Sequence, residues 1–363
     1  MNRSYWFIHT RLHEQRVEAS SQISAGRVGV MTNHKLSIWY HPIYTDGIHP
    51  DARFPRERYT KLVDKLKSPE YSNGFIIKQP TEASRNELIM AHNPHYVDNF
   101  LNQNLTEKEI KRIGLTPWTP QIIPRTLLLM GGAIAALDHV MEHGGIAGNM
   151  AGGTHHAHYD FGSGYCIFND LAVCSLLALS KYNLTKVAVV DFDVHQGDGT
   201  ATILQHVDEV LTISVHCQQN FPFRKSKSDY DLELPANAGD EEILAMITTA
   251  LDITKQFDPQ LILFQAGVDG LATDALGKLN ISRQGMSKRN EMVFDLAVEH
   301  SIPTVVFMGG GYSNPIHHTI DAFGDLFLSA SRANEQILSK ADAEQSDKKI
   351  ESRLNNGFVH EEK

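Results

Sequence analysis

Short, nearly continuous apolar runs alternate with longer stretches of helical period along most of this chain. The runs fall at residues 36–40, 146–149, 187–192, 210–215, 261–265 and 304–308, and most are rich in Val, Ile and Leu. Between and after them lie helical patterns at 125–142 behind Pro124, 170–180 behind Asn169, 241–256, 284–299 and 315–328. Strands apolar on both faces, separated by helices, predict an α/β fold with a parallel sheet covered on both sides. No internal repeat or long linker interrupts the alternation, so one domain is expected over residues 34–333. Residues 1–33 read as a poorly ordered extension, because 1–30 carry scattered charges and no apolar core of signal-peptide type. Met31 stands just before the first strand, and the natural chain is expected to be able to start there. The charged, weakly apolar tail 334–363 reads as a frayed helix or a disordered end.

Composition narrows the range of functions. Hydrophobic residues make up 42% and charged residues 21%, which excludes a largely disordered chain. Lys and Arg total 33 against 43 Asp and Glu, a formal charge of −10 that argues against a nucleic-acid partner. Three cysteines, Cys166, Cys174 and Cys217, lack paired spacing. A disulfide framework or thiolate zinc site is therefore not expected, and a reducing cytoplasm fits. No apolar run approaches the roughly 18 residues that a membrane span needs, so no membrane partner is expected.

The chemistry-bearing residues cluster after four of the strands. Gly152-Gly153-Thr154-His155-His156 follows 146–149, and Asp191-Phe192-Asp193-Val194-His195-Gln196-Gly197-Asp198-Gly199 ends 187–192. Ala266-Gly267-Val268-Asp269 follows 261–265, and Gly309-Gly310-Gly311-Tyr312 follows 304–308. In open parallel sheets, sites form outside the carboxyl ends of the strands, where these four clusters converge.

Alternate residues of an extended chain point the same way, so Asp191, Asp193 and His195 can share a face. Asp193 and His195, with Asp269 from another strand, make a two-carboxylate, one-imidazole set suited to a catalytic zinc with an open position. Fe(II), Co(II) or Mn(II) would suit the same set. His155 and His156 suit proton transfer, with Asp191 and Asp198 to orient them. The glycines before Tyr312 lack nucleotide-loop spacing and are better suited to delivering a phenol to an oxyanion. An arginase-like site would need a second metal and a further carboxylate, whereas Gly197 stands two residues past His195.

The segments GGTHHAHYDFGSGYCIFND (152–170), VVDFDVHQGDGT (189–200), LTISVH (211–216), QAGVDGLATDALGKLNIS (265–282) and MGGGY (308–312), with HPDARFP (49–55), resemble one family in its own order. It is the metal-dependent histone deacetylases, with acetylpolyamine amidohydrolases and acetoin-utilisation proteins among the bacterial relatives. The DALGKLNIS segment and the short loop after His216 look most like the class IV branch.

The resemblance implies the arginase–deacetylase fold, with a central eight-stranded parallel sheet flanked by helices. It implies zinc (or Fe2+ or Co2+) on Asp193, His195 and Asp269, and His156 as general base and acid with His155 as electrostatic partner. Asp191 and Asp198 match the carboxylates holding those histidines, and Tyr312 the group that polarises the scissile carbonyl. A structural K+ or Na+ is implied at backbone carbonyls of Asp191, Asp193 and His195 and at Ser214. Gly164, Tyr165 and Phe221 match walls of a substrate tunnel, and apolar Leu276 stands where polyamine-selective relatives carry an acid. The implied reaction is hydrolysis of an N-acyl-lysine amide in a protein or peptide. Two alternatives remain: a hydrolase of acetylpolyamines or other small acetyl-amides, and a non-catalytic acyl-lysine binder.

Overall fold

The computed structural model describes residues 34–357, with side chains described through residue 348. The expected extension 1–33 and residues 358–363 lie outside the described residues. Eight strands form one sheet: β1 (Leu36–Trp39), β2 (Phe75–Lys78), β3 (Ile146–Asn149), β4 (Val187–Asp191), β5 (Val210–Cys217), β6 (Tyr230–Leu234), β7 (Leu261–Gln265) and β8 (Thr304–Phe307). Their order is β2-β1-β3-β8-β7-β4-β5-β6, and every pairing is parallel. The chain thus leaves the middle of the sheet after β3, builds β4, β5 and β6 on one side, then returns to fill the gap with β7 and β8. The four strands that precede the chemistry-bearing clusters are therefore neighbours at its centre.

β1, β3, β4, β5, β7 and β8 are buried at every position, which is why each reads as a continuous apolar run. The edge strands β2 and β6 are half-exposed, and their FIIK and YDLEL sequences carry too little apolar continuity to stand out from loop. Helix Asp170–Tyr182 begins at Asn169, whose side chain accepts from Ala172 N as an N-cap.

Helix Ile122–His143 is the one described helix long and apolar enough, by length and composition, to cross a bilayer, a stretch that inspection of apolar runs passes over. It packs inside the domain through residues such as Leu129, Met130 and Leu137, which are buried. The tail expected from residue 334 onward begins further along. Helix His317–Gly357 runs straight through that boundary, Asn334 and Ile337 are buried, and Asn334 Oδ1 accepts from Ile146 N at 2.7 Å. That amide opens β3, where an unpaired buried donor would be costly, so the domain's packing reaches at least Ile337.

Candidate active site

The loop after β3 is shaped by two glycines and one carboxylate. Gly152 and Gly153 have φ of +85° and +71°, and a Cβ on them would meet Asp170 and Gly309 respectively. Asp170 accepts from Gly153 N (2.9 Å), Thr154 N (2.8 Å) and Thr154 Oγ1 (2.8 Å). The loop so fixed delivers His155 and His156, both buried, with ring centroids 4.1 Å apart.

Each ring is tied to a different carboxylate. His155 Nδ1 lies 2.7 Å from Asp191 Oδ2, and His156 Nδ1 lies 2.6 Å from Asp198 Oδ1. Burial and then the charge on His155 hold the His156 ring down at about 4, against the pull of Asp198. Burial also opposes charge on His155, but Asp191 and Asp193 outweigh it and raise that ring to about 9. The carboxylates thus offset burial at His155 but not at His156, which pushes the two adjacent imidazoles in opposite directions.

The chain after β4 bends at Asp193 instead of continuing as the extended ribbon its alternation suggested. Asp193 Oδ1 accepts from His195 N at 3.0 Å, which turns the His195 ring back, while Asp191 faces His155. His195 Nδ1 ends 3.0 Å from both Asp193 Oδ1 and Asp269 Oδ2. The other carboxylate oxygens are held in place: Asp193 Oδ2 by Gln265 Nε2 (3.0 Å) and Gly310 N (2.9 Å), and Asp269 Oδ1 by Val194 N (3.0 Å).

One donor atom from each of Asp193, His195 and Asp269 lies within 4.8 Å of the others, the one such group of three or more among the described residues. Burial and the Asp193 carboxylate push Asp269 up, the signature of negative charge packed without enough compensation. The donor set therefore fits a divalent cation. A second, carboxylate-bridged metal does not fit at 197, where a Cβ would stand 2.5 Å from Asp191 Oδ2.

Tyr312 is presented by the glycine run and fixed by its own amide, which donates to Asp274 Oδ2 at 2.6 Å. Burial raises its phenol well above the ordinary value, so it stays a donor across the working range. Donor cluster, histidines and Tyr312 all line one cavity of about 510 Å³. Gly164, Tyr165, Phe221 and Leu276 line it too. Gly164 has φ +53°, and a Cβ there would come 2.6 Å from His156 Cδ2. The Phe221 ring lies 4.9 Å from the His156 ring, and Leu276 is 44% exposed at the rim. Ser214 is away from this cavity, paired in register with Asp191 across β4 and β5, its Oγ 2.9 Å from His216 Nδ1.

Three contributors escaped the sequence reading. Arg289 is buried behind the donor cluster and donates to the carbonyls of Phe192 (3.2 Å), Ala266 (3.1 Å) and Gly267. It ties the loops after β4 and β7 together, yet in sequence it is an arginine in an ordinary amphipathic helix. His158 shares Asp198 with His156, its Nε2 3.2 Å from Asp198 Oδ2, and together they hold that carboxyl well below its usual range although burial opposes this. The His-His-x-His spacing was its only signal. Asn220 bridges two tunnel walls, donating to Leu276 O (2.8 Å) and accepting from Lys278 N (2.9 Å).

Comparison with known proteins agrees with this geometry. Residues 52–322 match the histone deacetylase domain. An uncharacterised protein of Picosynechococcus sp. is 38% identical over 77% of this chain and 93% of its own length. Histone deacetylase 2 of Arabidopsis thaliana is 30% identical over 77% of this chain and 75% of its own. The crystal structure of an acetylpolyamine aminohydrolase from Burkholderia pseudomallei superposes with a TM-score of 0.67 at 19% identity, covering 82% of this chain and 98% of that one. With the histone deacetylase domain matched over most of its length, an eight-stranded parallel sheet and a buried Asp-His-Asp cluster able to hold a metal, the chain belongs to the metal-dependent histone deacetylase family.

Proposed function

We propose that this protein hydrolyses the amide of N-acyl-lysine in proteins or peptides, with one zinc ion on Asp193, His195 and Asp269; Fe2+ or Co2+ would suit the same donors. The observation that carries this reading is the histidine pair beside the donor cluster, with His156 held by Asp198 and His155 held by Asp191. A divalent ion bound there would polarise the acyl carbonyl and acidify water.

The protein's own groups supply the proton transfers. His156 Nδ1 is taken by Asp198, leaving Nε2 to accept a proton from the attacking water. The hydroxide adds to the carbonyl carbon, and the Tyr312 hydroxyl donates to the resulting oxyanion. Collapse breaks the carbon–nitrogen bond as His156 returns the proton to the departing lysine amine. Phe221, Tyr165 and Gly164 flank the methylene stem. Main-chain carbonyls of Asp191, Asp193 and His195, with Ser214, are the proposed seat of a structural K+ or Na+. The three buried free cysteines support the cytoplasm as working compartment.

Leu276 favours acyl-lysine over polyamines, since an apolar rim offers a second ammonium no counter-charge for the hydration it loses. Acetyl-lysine peptide is expected to exceed N8-acetylspermidine in kcat/KM by at least about tenfold, or about 1.4 kcal/mol. A preference for the polyamine would overturn the lysine assignment.

A further inference from the structure

The exposed charges that line the cavity have the opposite sign from the chain as a whole. The protein carries a formal −10, yet among the described residues the only carboxylates lining the cavity are Asp193 and Asp269, the proposed metal ligands on its floor. The exposed charges that line it are Arg112, in the last turn of helix Glu107–Ile113, and Lys278, on the loop after β7. Arg112 lies flat over the Phe161 ring, 4.5 Å from its centroid, and Lys278 Nζ donates to Gln219 O at 2.9 Å. Lys225 Nζ donates to Asn220 O and Pro222 O, both at 2.7 Å, in the segment that carries Phe221. Exposed Arg53 precedes the lining residue Phe54 and its charge reaches the Tyr165 phenol, and exposed Arg224 follows the lining residue Phe223.

Among the described residues, none of these five cations has a carboxylate within ion-pair distance. The nearby acids act on them only beyond ion-pair distance, Glu109 on Arg112 and Glu233 and Asp231 on Lys225. Glu109 closes onto Thr106, and Asp274 accepts from the amides of Leu276, Gly277 and Tyr312. Glu57 pairs with Lys61, while Asp160 is exposed and unpaired. Phe223, 86% exposed, stands beside this basic collar as an apolar face for a chain lying across the opening.

We infer that the mouth selects acyl-lysine sites flanked by Asp or Glu, so that the preferred partner is an acidic segment of protein. This rests on the lysine assignment above. The collar supplies counter-charges for acidic residues on either side of the modified lysine and repels basic flanks. Arg112, Lys225 and Lys278 already lie against a ring or carbonyls, so less side-chain freedom is lost when they pair.

The test uses three acetyl-lysine peptides alike except for their flanks: two glutamates each side, two lysines each side, or uncharged residues. Glutamate flanks are expected to raise kcat/KM over lysine flanks by about fivefold or more at low salt, mostly through KM, since exposed pairs contribute little each but several act together. The ratio should shrink in 0.5 M salt, where the screening length falls below the roughly 10 Å of 0.1 M. Arg112→Glu should cut or reverse the ratio. Lys278→Glu should do the same and controls for a local defect at either position, because the ratio is read within each variant. A flat or inverted ratio in the wild type, with the neutral peptide turned over, overturns the inference and leaves the lysine assignment standing. A ratio unmoved in both variants assigns the preference elsewhere and also overturns it. Failure to turn over even the neutral peptide would remove the lysine assignment and this inference with it.

Discussion

The floor and the mouth of the one cavity are built on different principles. On the floor each carboxylate is tied to a histidine: Asp191 to His155, Asp198 to His156 and His158, and Asp193 and Asp269 to His195. Backbone amides and the Arg289 guanidinium lock the loops that carry them. At the mouth, cations lie on rings and carbonyls with no carboxylate opposite, and Phe223 and Leu276 face solvent. A buried charge left without a partner costs several kcal/mol, so the floor tolerates little variation. Exposed charges cost little alone, so the rim can change with the substrate. Chemistry is therefore expected to be all-or-none at the floor and graded at the mouth.

The largest effect should follow loss of a floor carboxylate. Asp269→Ala removes a metal donor and the acceptor of Val194 N, and is expected to abolish metal retention and turnover together. Metal retained at wild-type stoichiometry would place the donor set elsewhere. His156→Ala should cost about 10²–10⁴ in kcat, the usual worth of a positioned acid–base group, with bound metal unchanged. A drop of only a few-fold would transfer the proton to another group. Tyr312→Phe should cost about 10²–10³ in kcat with metal and melting temperature preserved. A near-normal kcat would take its phenol out of the mechanism. At the mouth, Leu276→Glu should leave peptide kcat within a few-fold and move the polyamine-to-peptide ratio upward by about tenfold at most, since it adds one exposed charge. If it lowers peptide kcat as far as Tyr312→Phe does, the contrast between floor and rim fails.

The floor was largely legible in the sequence because glycines and carboxylates there have little choice. Gly152, Gly153 and Gly164 hold left-handed backbone pressed against neighbours, and such positions leave a mark in the sequence. The central strands were legible for the related reason that burial on both faces demands unbroken apolar runs. The edge strands β2 and β6, wet on one side, had no such constraint and went unseen. Arg289 and Asn220 act through loops distant in sequence, so only the folded chain reveals their role. The boundary at residue 334 failed because charged surface residues of a long helix look like a tail, while the few that dock, Asn334 and Ile337, are thinly spaced.

The most direct test of the account is to strip the protein with a chelator and titrate zinc back while following both bound metal and hydrolysis of an acetyl-lysine peptide. One buried Asp-His-Asp cluster, with no room for a bridging carboxylate at Gly197, predicts that activity rises linearly and stops at one equivalent per chain. Activity that survives stripping, or that needs a second tightly bound equivalent, would contradict it.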